Sequence, residues 1–240
     1  MNKLQRNYKL VYTAPPLTEG GEAVSIEIKY PVTIEMDIKR DTFAQSNTAS
    51  FRLINLSKAT REEIFQDVYN INRVCFVDLY AGYDDNMPLI FTGKVLKAYS
   101  GRQGTEVITE IEALDADIVQ SYSSHTFEEG TPKKEVLTTL ANDMPNIKLG
   151  AIGSLEGNLT SRTVFSDLTF IAINKLTGQH TFIDLGTMHT LQDNECLGDV
   201  GIYKINSDTG LIGTPRRCGV VVEVDVVFAP EILVGQLVDL

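Results

Sequence analysis

The chain has no tryptophan, and its 240 residues include only three cysteines and three histidines. Cys75, Cys196 and Cys218 show no Cys-X-X-Cys spacing, so they supply neither a disulfide framework nor a zinc ligand set. They fit a reducing compartment, the cytosol of the cell that makes the protein. Cys75, within Arg73-Val74-Cys75-Phe76-Val77, reads as a small apolar residue in a strand. Lack of tryptophan weakens the case for an aromatic-lined sugar cleft. No apolar run approaches the roughly 20 residues of a membrane helix, and Met1 to Arg6 has cations but no apolar stretch behind them, so no signal peptide is expected. Cations are in the minority, 21 Lys and Arg against 32 Asp and Glu, for a net charge of -11. A surface that tracks nucleic-acid phosphates needs more of them.

What is present is ordinary for a globular protein. A hydrophobic content of 43% and a charged content of 22% exclude collagen-like, disordered and coiled-coil classes, and leave room for one large core or several smaller ones. Ile26, Ile28, Tyr30, Val32, Ile34, Met36 and Ile38 recur every second residue, a strand pattern that Pro31 turns into an edge strand or two strands with a bend. Residues 40–48 read as a loop, and Ala49, Phe51 and Leu53 as the next strand. Ser57 can cap a short helix from Lys58, or Thr60 with Glu63 can form a capping box one turn later; its apolar side is Ile64, Phe65 and Val68. Cys75 to Tyr80 and Leu89 to Ala98 form a hairpin across the turn formers Tyr83 to Pro88, followed by a strand from Val107 to Ala113. Five or so strands and one short helix predict a closed or sandwiched β domain.

The middle of the chain changes period. Thr131-Pro132 opens a helix with Val136, Leu137, Leu140, Ala141 and Met144 on one side, stopped by Pro145. A second helix is expected from Ser166-Asp167, with Leu168, Ile171, Ala172 and Leu176 as its stripe and Gly178 after its end. Thr181 to Asp184 and Met188 to Leu191 then make a hairpin around Leu185-Gly186-Thr187. From Tyr203 the chain is β again: Val220, Val222, Val224, Val226 and Phe228 alternate with Val221, Glu223, Asp225 and Val227, and Glu231 to Leu240 starts a further strand. The expected organisation is a first β domain over residues 1–118, a small α+β module over 119–195 and a second β domain over 196–240.

The residue types that do chemistry are poorly arranged for it. His180 and His189 flank the hairpin with Asp184 nearby, but no third metal ligand is in sight. Neither a Gly-X-Ser-X-Gly elbow nor a Cys/His signature occurs. The pairs Glu62-Glu63, Asp84-Asp85 and Glu128-Glu129 suggest glycosidase carboxylates only if they face each other across a cleft, and neighbours in a strand point to opposite faces. Gly210 to Arg217 lacks the Gly-Lys-Ser/Thr ending of a phosphate loop and reads as a long loop with a basic tip, Arg216 and Arg217 being suited to an acidic neighbour. Asp84-Asp85-Asn86 lacks calcium-loop spacing. The triplets Asn55-Leu56-Ser57 and Asn158-Leu159-Thr160 match a glycosylation site, idle without secretion. No catalytic, cofactor-binding or metal residue is assigned.

Two stretches carry a resemblance. Ile34 to Phe43 followed by Ser46-Asn47-Thr48-Ala49-Ser50-Phe51-Arg52-Leu53-Ile54-Asn55-Leu56-Ser57 and Thr60-Arg61 resembles the first domain of tailed-phage baseplate hub proteins. Thr209-Gly210-Leu211-Ile212-Gly213-Thr214-Pro215, the valine-rich strand, Pro230 and Val234-Gly235-Gln236-Leu237-Val238 is similar to their second β domain. The resemblance implies a mainly β fold with an α+β insert: two β-barrel or sandwich domains like tail-tube subunits, separated by the small module and related to the hub part of type VI secretion spike proteins. It also implies a homotrimer in the virion baseplate, assembled in the host cytoplasm. There three subunits present six similar domains, adapting the six-fold tube to the three-fold central spike and lining the DNA exit channel. Implied partners are a tail tube or distal tail protein above, the spike below and a tape measure protein, with DNA as non-specific cargo and no membrane insertion. No cofactor and no catalytic residue come with the family, so the expectation is a structural protein and not an enzyme; the rival readings are a tail-associated cell-wall-degrading enzyme and a distal tail or receptor-binding β protein. Such hubs usually continue past Gly235-Gln236-Leu237-Val238-Asp239-Leu240, so the second β domain is expected to be incomplete here. An acidic surface suits a DNA conduit, with Glu27, Glu35, Asp37, Glu106, Glu110 and Glu112 as candidates for its wall.

Overall fold

The computed structural model describes residues 5–16, 22–43, 46–66, 73–115 and 121–240. Strands hold 50% and helices 12% of the chain, so the protein is mainly β. Its first half is one antiparallel sheet: β1 (Arg6–Ala14), β2 (Val24–Lys29), β3 (Thr33–Lys39), β4 (Thr48–Ile54), β5 (Phe76–Tyr83), β6 (Leu89–Gln103) and β7 (Glu106–Leu114), with the short helix α1 (Lys58–Ile64) between β4 and β5. The strand order is β2-β1-β5-β6-β7-β4-β3. Its two edge strands are therefore consecutive in the chain, and only Tyr30-Pro31-Val32 lies between them. The sheet must curl until its edges meet, closing a barrel through a covalent turn, with Val32 N donating to Lys29 O at 3.1 Å, in place of a β2–β3 ladder.

Alternation explains what fills the barrel. Leu10 and Tyr12 of β1, Phe51 and Leu53 of β4, Val77 and Leu79 of β5, Phe91 of β6 and Ile111 of β7 point inward and are completely buried or nearly so. Each such side chain contributes about 1.5 to 3 kcal/mol of burial. The rings of Phe51 and Phe91 meet edge to face at 6.0 Å. Helix α1 starts where Ser57 Oγ accepts from Thr60 N at 3.1 Å and packs Ile64 into the barrel core, its carbonyl accepting from the Tyr12 hydroxyl at 3.2 Å. Of the expected apolar side, Ile64 is buried. Phe65 is exposed because the chain leaves helical geometry there, and Val68 lies outside the described residues. The alternation from Ile26 to Ile38 divides at Pro31 into two edge strands, as its proline demands. Cys75 is buried, one residue before β5.

The module that follows contains β8 (Tyr122–Phe127), α2 (Lys133–Asn142), β9 (Lys148–Ile152), β10 (Thr163–Leu168), α3 (Thr169–Thr177), β11 (Thr181–Asp184) and β12 (Thr187–Thr190). Strand β8 pairs with β10, and β12 lies between β11 and a parallel β9. The helices supply the core, Val136, Leu137 and Leu140 from α2 against Phe170, Ala172 and Ile173 from α3. Two expectations shift. Pro132 is the N-cap of α2 and not its first helical residue. Ser166 and Asp167 do not start a helix: they belong to β10, opposite Ser124 and Ser123 of β8, and α3 begins at Thr169. Strand pairing wins there, so the buried face of α3 is Phe170, Ala172, Ile173 and Thr177, while Ile171 is exposed. Gly178 ends α3 at φ 74° as expected.

Residues 196–240 contribute β13 (Tyr203–Lys204), β14 (Leu211–Cys218), β15 (Val221–Val226) and β16 (Val238–Asp239). Gly210 to Arg217 is mostly strand and not a loop, because β14 pairs with β15 through a bulge between Ile212 and Arg216. The strand expected from Glu231 is reduced to Val238–Asp239, parallel to β13, since turns at Ala229–Ile232 and Leu233–Gln236 break the extended run. Between these pieces the segment touches both earlier units. Phe228 packs on the barrel, its carbonyl accepting from Tyr83 Oη at 3.0 Å. Gly235 (φ 82°) passes so close to the module that a Cβ there would sit 3.1 Å from the Phe182 ring. Hairpin β14–β15, by contrast, has no pairing with any other described strand.

The barrel interior and the hairpin therefore differ in what they contribute to stability. Phe51→Ala should cost about 3 to 5 kcal/mol, whereas Val221→Ala should stay within about 0.5 kcal/mol in the isolated chain, both read from urea unfolding.

Candidate functional site

The chemistry-bearing residues are dispersed. Among the described residues no group of three or more His, Cys, Asp or Glu is placed to hold a metal. His189 stacks on Phe182 at 5.4 Å and its Nδ1 accepts from Ala151 N at 3.1 Å. Burial lowers its pKa, against a smaller upward pull from Asp184. His180 faces Asp193 instead, at 3.5 Å, and His125 is hydrogen-bonded to Asp143 at 2.8 Å. Each acidic pair is divided among other duties: Glu62 reaches Lys58, Glu63 reaches Arg73 and Glu128 reaches Arg162, while Asp84 and Asp85 form the β5–β6 turn. Asn55, at φ 60°, ends β4 by accepting from Val107 N. Arg216 pairs across its own hairpin with Glu223 at 3.7 Å.

What the structure does bring together is a polar joint between barrel and module. Hairpin β11–β12 turns through Leu185 and Gly186, both with positive φ (50° and 69°). That conformation suits Gly186 and costs Leu185 about 1 to 2 kcal/mol. The two exposed N–H groups of the turn point at one acceptor, the carboxylate of Asp115 at the end of β7, at 2.9 and 3.1 Å. Asn47, just before β4, completes the grip: its amide donates to Asp115 Oδ2 (3.1 Å), Ile183 O (3.1 Å) and Asp184 Oδ1 (2.9 Å). Its own side-chain oxygen accepts from Asp41 N and its carbonyl from Asp115 N. Arg40 clamps Asp184 with two hydrogen bonds, one of them Nε to Oδ1 at 2.7 Å. Asn47, Asp115 and Asp184 are all less than a tenth exposed. Beside the joint lies an open cleft of about 620 Å³, with Phe76 and Lys94 on its barrel side and Ile147 and Lys148 on its module side.

Sequence reasoning missed this joint. Arg40 and Asn47 lie in a stretch read as a loop, and Asp115 lies one residue past a strand. The only local sign was a polar residue abutting a strand end.

A second feature is the outer face of the barrel over β3, β4, β7 and β6. Strand register aligns Glu35, Arg52, Glu110 and Tyr99 in one row, and Asp37, Ser50, Glu112 and Lys97 in the next. Arg52 sits between Glu35 and Glu110, and Lys97 reaches Glu112 at 2.8 Å. Such exposed pairs contribute little stability, of order 0 to 1 kcal/mol each. They make a hydrated face of alternating charge. Glu27 belongs to a different face, between Lys9 and Lys29.

Burial pushes the Asp115 carboxyl up to about 6, the Asn47 and backbone hydrogen bonds opposing it and the Asp184 charge adding to it. Between pH 3.8 and about 6 the folded protein thus holds a proton that the unfolded chain has released. This group's contribution favours the fold most below that window and fades as pH rises through it. The carboxyl carbon of Asp115 should titrate with a midpoint near 6 in NMR, and Asp115→Asn should flatten the stability–pH slope there. Asn47→Ala removes the donor shared by both carboxylates and should cost about 2 to 4 kcal/mol, measured by thermal unfolding at pH 7.

Comparison with known proteins is consistent with this arrangement. The fold is similar to a tail protein from Neisseria meningitidis MC58, with a TM-score of 0.52, 13% identity, and 85% of this chain and 57% of that one covered. It is also similar to the 43 kDa tail protein of prophage MuSo2 from Shewanella oneidensis, with a TM-score of 0.51, 16% identity, and 87% and 60% covered. The chain thus matches less than two thirds of the length of either. A Francisella PdpA-VgrG complex gives a TM-score of 0.48 at 9% identity, with 90% of this chain and 35% of that one covered. No curated protein sequence matches. The family model for baseplate hub gp41 matches residues 17–240, and the chain belongs to that family of phage tail components.

Proposed function

We propose that the protein is the hub that joins the tail tube to the central spike, acting as a homotrimer that adapts six-fold to three-fold symmetry. The observation that carries this reading is the family match over nearly the whole chain, on a protein whose only described large β unit is a barrel with two unpaired edges meeting at one turn. Edges of that kind are suited to neighbours in a ring. The division into a first β domain, the α+β module and a second β domain around β14–β15 belongs to the same proposal. The function is mechanical: shape and symmetry matching, with no turnover. DNA passes as non-specific cargo along a wall on which Glu35, Asp37, Glu110 and Glu112 outnumber Arg52 and Lys97, and that excess of negative charge keeps it from sticking. The tube or distal tail protein lies above, the spike below, and a tape measure protein reaches the hub during assembly in the host cytoplasm.

A reconstruction of the complete tail tip tests this. Three copies around the axis are expected; six would remove the hub reading, and an inner wall of lysines and arginines would remove the conduit. The purified protein should leave peptidoglycan intact, and cleavage abolished by a carboxylate-to-amide change would replace the mechanical role by an enzymatic one.

A further inference from the structure

Strands β14 and β15 form a two-stranded ribbon, and such a ribbon is marginal in water when nothing else supports it. This one nonetheless exposes much of its apolar surface. Val220 is fully exposed, and Ile212, Val221 and Val222 are each more than half exposed. Its two free edges are not equivalent. The β14 edge is interrupted by Gly213 at φ 70°, by the bulge and by Pro215, which has no N–H to donate. The β15 edge, Val221-Val222-Glu223-Val224-Asp225-Val226, has no glycine, proline or lysine to block a further strand. One edge is protected and the other is open.

The alternation of β15 specifies what can pair with it. Val222, Val224 and Val226 share one face, and Glu223, which Arg216 of β14 already approaches at 3.7 Å, and Asp225 stand on the other. A partner strand must match apolar with apolar and must not bring further carboxylates beside Glu223 and Asp225. Among the described residues the barrel has two unpaired edges of suitable length. Strand β3 alternates correctly, but its outward acids Glu35 and Asp37 are matched only by Arg52 and Lys39, so it offers β15 no excess of positive charge. Strand β2 carries Val24, Ile26 and Ile28 inward and Lys29 outward, beside Lys9 of β1, which lies opposite Lys29 in register. Glu27, the one acid on that edge, already lies between those two lysines at 4.0 and 3.7 Å. In a chain of net charge -11 this is a local patch of the opposite sign.

We infer that β15 of one copy adds to the β2 edge of a second copy, Glu223 and Asp225 meeting the Lys9–Lys29 patch and Val222, Val224 and Val226 continuing the isoleucine face. The contact is head to tail, hairpin on one flank and barrel edge on the other, the type of contact that builds a ring when the rotation between copies closes and a filament when it does not. It rests on the homo-oligomer reading above and adds the surface through which that oligomer forms. The main-chain ladder supplies affinity and the charge pattern supplies the choice of edge.

The test uses the full chain in a Cys196→Ser, Cys218→Ser background, leaving only buried Cys75. One preparation carries Glu223→Cys and another Lys29→Cys, and they are mixed and oxidised. A covalent dimer is expected in the mixture and not in either preparation alone; its absence while light scattering shows an assembled protein would overturn the interface. Independently, Glu223→Lys with Asp225→Lys should weaken self-association on the order of a hundredfold, and adding Lys9→Glu with Lys29→Glu should restore it. All four positions are at the surface, so folding is checked by an unchanged unfolding curve. Unaltered assembly of the Glu223→Lys, Asp225→Lys protein would refute this contact and leave the oligomer standing. A wild-type chain that stays monomeric at every concentration would remove both.

Discussion

The grip of Asn47 and Asp115 on the β11–β12 turn is the interaction on which the arrangement of the molecule depends. The barrel and the module each have an apolar core of their own, and a set of hydrogen bonds among nearly buried polar groups joins one directly to the other. Such a contact is directional. A hydrophobic interface tolerates sliding, whereas two N–H groups converging on one carboxylate define a single position, and the loss of any member leaves a buried group without its partner. Leu185 adopts its left-handed backbone where its N–H and that of Gly186 both donate to Asp115, so the turn's strain and its grip coincide.

The charge on Asp115 has a second side. Two carboxylates share this buried site with one guanidinium, so the joint retains net negative charge at neutral pH, and burial raises the affinity of Asp115 for a proton. The joint is therefore specific more than it is strong, in keeping with the general behaviour of buried ion pairs. In the hub role proposed above, a directional contact of this kind would keep barrel and module in register.

Much of the architecture was legible in the sequence where one period governed a whole element. The isoleucines from 26 to 38, the cap at Ser57, the hairpin through Leu185-Gly186 and the left-handed stop at Gly178 all follow from local rules. Errors arose where a partner distant in sequence decided the outcome. Ser166 and Asp167 look like a helix start, yet β8 takes them into a strand. Gly213 and Pro215 look like loop residues, yet β15 holds them in a bulged ribbon. The joint was illegible for the same reason. Arg40 and Asn47 are separated from Asp184 by more than 130 residues, and no pattern in either segment announces the other. The family resemblance carried the proposed role, which no cluster of side chains among the described residues discloses by its chemistry.

The strand order also bears on how the chain is made. All seven barrel strands lie before residue 115, so on the ribosome the barrel has every strand it needs before the module has been translated. The socket formed by Asn47 and Asp115 is then already in place when the turn at Leu185 emerges. Docking becomes the capture of a short hairpin by a finished surface, and Phe228, arriving later still, adds its ring to a barrel wall already formed.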